Sequence, residues 1–270
     1  MDLHVHALPD VVPRILDAME LLAQAEKFGM KAIVLKCHHT HTANLTWLIE
    51  HVRPSRTKFF GALVLNSSCG GLNPAAVEVA IKLGAKIIWM PTQSAAHHLG
   101  SYGGDPSTGI RVVDARGNVL PEVSSIIEKI AEADIILATG HISPEETVAL
   151  VERAKDLHLG KILVTHAEHI VKIPIDVQKH LADEGAYIEH GWFSTTLNAG
   201  KFQVDSREIY RQIAEVGPKS CILTSDGGQK GIPTPAEGFR IFIDTMLDYG
   251  LTQEEIDTMT KKNPSSLLGL

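Results

Sequence analysis

The 270-residue chain carries 25 Lys and Arg against 32 Asp and Glu, a formal charge of −7, with 44% hydrophobic and 21% charged residues. This composition suits a soluble protein with a sizeable core, and no apolar run approaches the roughly 18 residues of a bilayer span, which excludes membrane and disordered classes. The acidic balance and the lack of any Lys/Arg-rich run leave no electrostatic footprint for a nucleic-acid backbone.

In chain order, short β-branched or apolar runs predict strands over residues 3–6, 32–36, 59–65, 86–90, 135–139, 161–165, 186–189 and 221–224. Helical spacing of apolar residues predicts helices over 15–28, 74–83, 121–133, 144–157, 204–215 and 235–249, with a terminal helix and tail over 252–270. Pro74, Pro121, Pro144 and Pro235 stand at first helical positions, where a missing N–H costs nothing. Gly29, Gly84 and Gly185 each follow a helix and precede a strand, as C-cap glycines do. Eight βα units with no linker or composition break predict one closed (β/α)8 barrel domain over 1–270, in preference to an open doubly wound sheet. Two βα loops, 97–120 and 191–205, are long and rich in Gly, Ser and Thr, and are expected to cover the mouth.

Cys37, Cys69 and Cys221 form no Cys-x-x-Cys, so neither a disulfide framework nor a thiolate zinc knuckle is expected. The first residues, Met1-Asp2-Leu3-His4-Val5-His6, lack the basic and apolar regions of a signal peptide. A cytoplasmic location is the expectation.

Eleven of the fourteen histidines fall in or just past the C-terminal end of a predicted strand: His4, His6, His38, His39, His41, His97, His98, His141, His166, His169 and His190. A barrel of this type carries its chemistry at that end, so the imidazoles gather at one mouth. His4 and His6, two residues apart on a strand, share a face. Alone, such a pair is weak evidence and is more often two polar strand-end residues. It gains weight because His141, His166 and Asp226 follow the fifth, sixth and eighth strands. Imidazole nitrogens with one carboxylate suit a divalent ion, Zn first, with Mn, Fe or Ni as alternatives. Such an ion brings the pKa of bound water to about 7, and a carboxylate beside it can take the proton and return it to a leaving group. The plain alternative for Asp226 is a turn-capping role in Asp226-Gly227-Gly228.

His-x-His on the first strand, His after the fifth and sixth, and Asp after the eighth resemble the amidohydrolase superfamily of metal-dependent barrels, and the resemblance runs the whole chain. Gly70-Gly71-Leu72-Asn73-Pro74, Trp89-Met90-Pro91-Thr92, Gly140-His141-Ile142-Ser143 and Asn263-Pro264-Ser265-Ser266-Leu267-Leu268-Gly269 are similar to an uncharacterised amidohydrolase-like family. The resemblance implies His4, His6, His141, His166 and Asp226 as metal ligands, with Asp226 and His166 catalytic and Asp226 the base for the attacking water. The chain departs from binuclear members at the fourth strand, which ends Trp89-Met90-Pro91-Thr92 without a bridging Lys or Glu. One ion is then expected, or two if Lys36, as a carbamate, or Glu189 bridges. His38 and His97 are candidates for substrate or metal contact.

Glycines at 70–71 and 227–228 could cradle an anion, but turns needing positive φ are the simpler reading. No Gly-x-Gly-x-x-Gly opens a helix, so no nucleotide cofactor is expected. The leading functional reading is a hydrolase of a small molecule carrying an amide, lactam, cyclic imide or ester bond. A metal-dependent non-oxidative decarboxylase and a non-catalytic metal- or ligand-binding barrel are the alternatives. A homo-oligomer is a base-rate expectation.

Overall fold

The computed structural model describes residues 1–270. Its strands are β1 (Asp2–Val5), β2 (Ala32–Leu35), β3 (Lys58–Phe60), β4 (Ala62–Val64), β5 (Ile87–Trp89), β6 (Ile136–Ala138), β7 (Ile162–Val164), β8 (Tyr187–Gly191) and β9 (Cys221–Thr224). All pairings are parallel: β1 with β2, β2 with β3, and β4 through β9 in sequence order. β3 and β4 are two halves of one barrel strand, since Phe59 is in register with Ile33 of β2 and Leu63 with Ile88 of β5.

The seam between β9 and β1 is closed by one parallel bridge, Val5 to Gly227, in which the His6 N–H donates to the Gly227 carbonyl at 2.8 Å. Asp2 reinforces this seam: its buried carboxylate accepts the Ser225 N–H at 3.1 and 3.2 Å and the His4 N–H at 3.2 Å. The result is the expected (β/α)8 barrel.

The predicted continuous strand 59–65 is interrupted at Gly61, and the cause is tertiary. Thr42 takes the backbone of Ala62 from outside the ladder, its N–H donating to Ala62 O at 2.9 Å and its hydroxyl accepting the Ala62 N–H at 2.8 Å. This draws the following helix so close that a Cβ at Gly61 would stand 2.4 Å from Ala43 Cα. Backbone cannot yield as a side chain can. Gly61→Ala is therefore expected to destabilise by about 1–3 kcal/mol or more, read as a lower urea midpoint; an unchanged midpoint would show that the kink is adjustable.

The helices are α1 (Ala18–Lys27), α2 (Ala43–Val52), α3 (Pro74–Lys82), α4 (Ala96–Ser101), α5 (Pro121–Glu132), α6 (Pro144–Asp156), α7 (Ile175–Asp183), α8 (Ser206–Val216), α9 (Pro235–Asp248), α10 (Gln253–Asp257) and α11 (Asn263–Leu268). The helix predicted over 15–28 starts at Ala18, because Ile15 N–H is used by Gly228 O and Asp17 forms a capping box with Glu20. α2, α4 and α7 have no counterpart among the predicted helices. None has a side-chain cap, and α2 exposes Trp47, Leu48 and Val52, which blurs its apolar stripe. The tail predicted over 252–270 is α10 and α11 joined by a π-type turn, Thr258–Lys262.

Val34, Val64, Ile87, Trp89, Ile136, Ala138, Leu163 and Ile222, from strand after strand, pack into a single cluster. Only inward-facing side chains can meet around a ring in this way. Leu267 and Leu268 of α11 join it, while Asn263 donates to the carbonyls of Pro218, Lys219 and Cys221. The C-terminal helix is thereby fixed to the base of the last strand, leaving the opposite end for the histidines.

Candidate metal centre

His4 lies on β1 and His6 just beyond it, and both are buried. Asp226 Oδ1 lies 3.0 Å from His4 Nε2 and 3.2 Å from His6 Nε2, a trio compact enough to hold an ion. The other ring nitrogen of His4 decides what this contact is. Its Nδ1 is 2.6 Å from Glu189 Oε1, and an ionised carboxylate only accepts, so Nδ1 carries a proton. A neutral His4 then presents the Nε2 lone pair to a carboxylate oxygen, an arrangement that needs a cation or proton between them.

The titration behaviour agrees. Burial opposes charging His4, but the carboxylates of Asp226 and Glu189 outweigh it and raise its pKa to about 9. Asp226 is held well below the usual carboxylate range: burial works against this, but His4 and His6 prevail. Lys36 Nζ also touches His4 Nε2, at 2.8 Å. Two cations cannot share that contact, and burial draws Lys36 down to about 8. The donor set fits a divalent ion, because converging nitrogens and one carboxylate oxygen already attract positive charge at one point.

His141 and His166 line the same cavity as His6 and Asp226. Their Nε2 atoms face each other at 3.1 Å, and the His166 ring lies 5.9 Å from that of His4. Burial keeps both neutral, His166 falling to about 4 and His141 well below its ordinary value. His166 and Asp226 both adopt positive φ, 22° and 45°, a strain of about 1–3 kcal/mol each that is usual where geometry serves chemistry.

Of the five residues expected as ligands, His4, His6 and Asp226 bring donor atoms within 4.8 Å of one another, while His141 and His166 line the cavity beside them. Glu189 is fully buried, bonded to His4 and to the Thr224 hydroxyl at 2.8 Å. His38 stacks on His6 with ring centroids 5.0 Å apart, its Nδ1 2.8 Å from the Thr92 hydroxyl. Asn66 fixes that hydroxyl by donating to it at 2.8 Å. His97 is not brought in: its Nε2 reaches only the Ile170 carbonyl, at 3.4 Å. Its neighbour His98 lines the cavity instead and meets His141, Nδ1 to Nδ1, at 2.8 Å. Both lie on α4, where successive side chains diverge by about 100°, and the sequence carries no mark of which one points inward.

Asp10, Asn66, Thr92 and Glu168 were not among the expected site residues. Asn66, Thr92 and Glu168 reveal their parts only through partners more than 20 positions away, and Asp10 through Arg14 four positions on. The glycines at 70–71 and 227–228 are turns or close approaches: Gly70 and Gly71 have φ of 97° and 66°, and a Cβ at Gly228 would stand 2.0 Å from His6 O.

The two loops expected over the mouth do meet there. Lys201 Nζ donates to Ser101 O at 2.6 Å, and the Tyr102 and Phe202 rings pack 4.8 Å apart. Beneath them lies a cavity of ≈ 200 Å³ holding Lys36, His38, His98, His166 and Asp226. A larger cavity of ≈ 600 Å³, at the other end of the barrel among Phe28, Met30, Phe239 and Ile243, contains no histidine or carboxylate.

Fold and site together define a (β/α)8 barrel with histidines and one aspartate gathered at the C-terminal mouth of its strands. Among solved structures, the chain is similar to an amidohydrolase from Pseudomonas aeruginosa (TM-score 0.68, 14% identity, 99% of this chain and 95% of that one). It is also similar to the probable dipeptidase PvdM from the same organism (TM-score 0.69, 11% identity, 99% and 94%). A third relative in fold is 2,6-dihydroxybenzoate decarboxylase from Rhizobium (TM-score 0.59, 14% identity, 100% and 99%). More narrowly, the chain belongs to the family of unknown function DUF6282, whose model matches residues 1–189. No curated protein matches it in sequence. No helix is long and apolar enough to cross a membrane.

Proposed function

We propose that this single barrel domain is a metal-dependent hydrolase that opens an amide, lactam, cyclic imide or ester bond of a small molecule, and that it works in the cytoplasm. The observation that carries this reading is the convergence of His4 Nε2, His6 Nε2 and Asp226 Oδ1, with the His4 tautomer fixed by Glu189. These residues, with His141 and His166, would hold the ion; nitrogen and carboxylate donors favour Zn, with Mn, Fe or Ni as alternatives. When bound, such an ion supplies Lewis acidity and draws the pKa of a water toward about 7.

The chain's own groups do the rest. Asp226, ionised at neutral pH, accepts the proton of the attacking water and returns it to the leaving group. Glu189 orients His4, and His98 meets the outer nitrogen of His141, the kind of outer contact that fixes a ligating imidazole. His38, kept neutral by burial and by the nearby Lys36 and His6, is placed to hydrogen-bond the substrate. Lys36 stands beside the donors either as an ammonium, with one ion, or as a carbamate bridging two.

One observation favours decarboxylation as a second reading: beyond β5 the chain runs Met90-Pro91-Thr92, offering no bridging group. The metal-loaded protein, assayed on amides, lactams, cyclic imides and lactones in ¹⁸O-water, is expected to place one ¹⁸O in the product. Asp226→Asn should slow this by about 10²–10⁴. Release of CO₂ without ¹⁸O incorporation would replace hydrolysis by decarboxylation; no turnover of either kind with the ion bound would mean a binding barrel.

A further inference from the structure

Arg14, on the loop between β1 and α1, is a guanidinium taken almost wholly out of water, at 5% exposure. Asp10 holds one edge of it, with Nε and one Nη both 2.8 Å from Asp10 Oδ2. That same Nη comes no nearer than 3.4 Å to His6 Nδ1. The remaining nitrogen, Nη1, has no partner in the protein, although the side chain lines the cavity above the metal-ligand group. The backbone at Arg14 is fixed as well, bridged to Gln229 beyond β9. A buried, anchored cation with a free donor is the feature that remains after the catalytic groups are accounted for.

The cavity walls say what would use it. In a chain of net charge −7, this cavity is lined by two basic side chains, Arg14 and Lys36, against one carboxylate, Asp226. That carboxylate is already committed to His4 and His6. Tyr102, Ile170 and Phe193 supply an apolar side. The volume of ≈ 200 Å³ is modest, since an apolar cavity of about 150 Å³ accommodates a benzene ring.

We propose that the substrate is a small organic acid whose carboxylate pairs with Arg14 while its apolar body lies against Tyr102, Ile170 and Phe193. This rests on the metal-dependent reading above and narrows its substrate class. Asp10 is the positioning residue: it offsets part of the charge of Arg14 but fixes the guanidinium so that Nη1 is presented without an ordering cost. A charge-assisted bond is roughly twice as strong as a neutral one, so it discriminates between a carboxylate and its uncharged isostere.

Titration calorimetry with benzoate and benzamide, equal in shape and unlike in charge, tests the assignment on zinc-loaded protein. Benzoate is expected to bind at least about tenfold more tightly. Arg14→Gln should bring the two within about threefold, with zinc content by mass spectrometry unchanged. Because a carboxylate can also sit on a metal, the same pair is measured on metal-stripped wild type, where the preference for benzoate should persist. That measurement separates the metal from the basic side chains, and should Arg14→Gln fail to fold, Arg14→Lys, which keeps the charge but loses the fork, should narrow the preference with zinc content unchanged. Equal affinities in the zinc-loaded wild type, a preference surviving Arg14→Gln, a preference that disappears with the metal, or no binding of either compound would each overturn the proposal. Failure of the metal-dependent reading is seen separately, in zinc content and ¹⁸O incorporation.

Discussion

Replacing His4 and His6 together by alanine is expected to remove the bound metal. Wild type reconstituted with Zn²⁺ should carry about one ion per chain by plasma mass spectrometry, and the double variant none above background. The reason is geometric: two of the three donor atoms that lie within 4.8 Å of one another are deleted, leaving the Asp226 oxygen with only the more distant His141 and His166. Binding to the folded state alone also stabilises it, by about 4 kcal/mol at a thousandfold excess over Kd. For a chain of this size each kcal/mol is worth about 2–4 °C in Tm, so zinc should raise the wild-type Tm by roughly 8–16 °C and leave the double variant unmoved. Glu189→Gln, which keeps the shape but weakens the orienting bond to His4 Nδ1, should fall between, with metal affinity reduced about 10–100-fold. About two ions in wild type would require a bridge, from Lys36 as its carbamate or from Glu189. No ion in wild type would remove the basis for hydrolysis.

The second large effect is expected away from the reacting atoms, at Glu168 and His190. Both are buried; Glu168 Oε2 lies 3.0 Å from His190 Nδ1, while Oε1 accepts from the Gly191 N–H and the Ser194 hydroxyl, each at 3.3 Å. The pair ties the loop that carries His166 to the strand that carries Glu189. Glu168→Ala leaves an imidazole buried without its counter-charge, which costs about 3–5 kcal/mol, or roughly 6–20 °C in Tm for a chain of this size.

The same pair has a defined pH signature. Burial opposes charging His190, but Glu168 outweighs it and raises the pKa to about 10. A folded pKa above the unfolded value of about 6.5 means the native state binds the proton more tightly. The stabilisation is therefore complete below about pH 6.5 and is lost as pH rises from there to about 10. Glu168 is shifted downward, His190 prevailing over burial, so its share is lost as pH falls below the ordinary carboxylate range. His4, also raised, titrates in the alkaline window, which makes the difference between wild type and His190→Gln the proper measure. That difference in Tm should shrink steadily between pH 6.5 and 10; a constant difference would show His190 to be neutral in the native state.

Much of this was legible in the primary structure, for a physical reason. Strand periodicity fixes which side of a barrel a residue faces, and parallel βα topology sends every strand's C-terminal end to the same mouth. His4, His6, His141, His166 and Asp226 could thus be grouped from local pattern alone. The helices opening at Pro74, Pro121, Pro144 and Pro235 were equally local, since their first turns announce themselves in backbone chemistry.

What the chain alone left open depends on approach between elements far apart in sequence. Glu189 meets His4 across 185 positions, and Asp2 meets Ser225 across 223. Thr42 breaks a strand whose own residues read as continuous, by a contact across 20 positions. His98, not His97, turns toward His141 because of the rotation of one short helix. Residue type and period are local properties and were fixed by the sequence; protonation, tautomer and pairing follow from distances of about 3 Å, which arise only when the barrel closes.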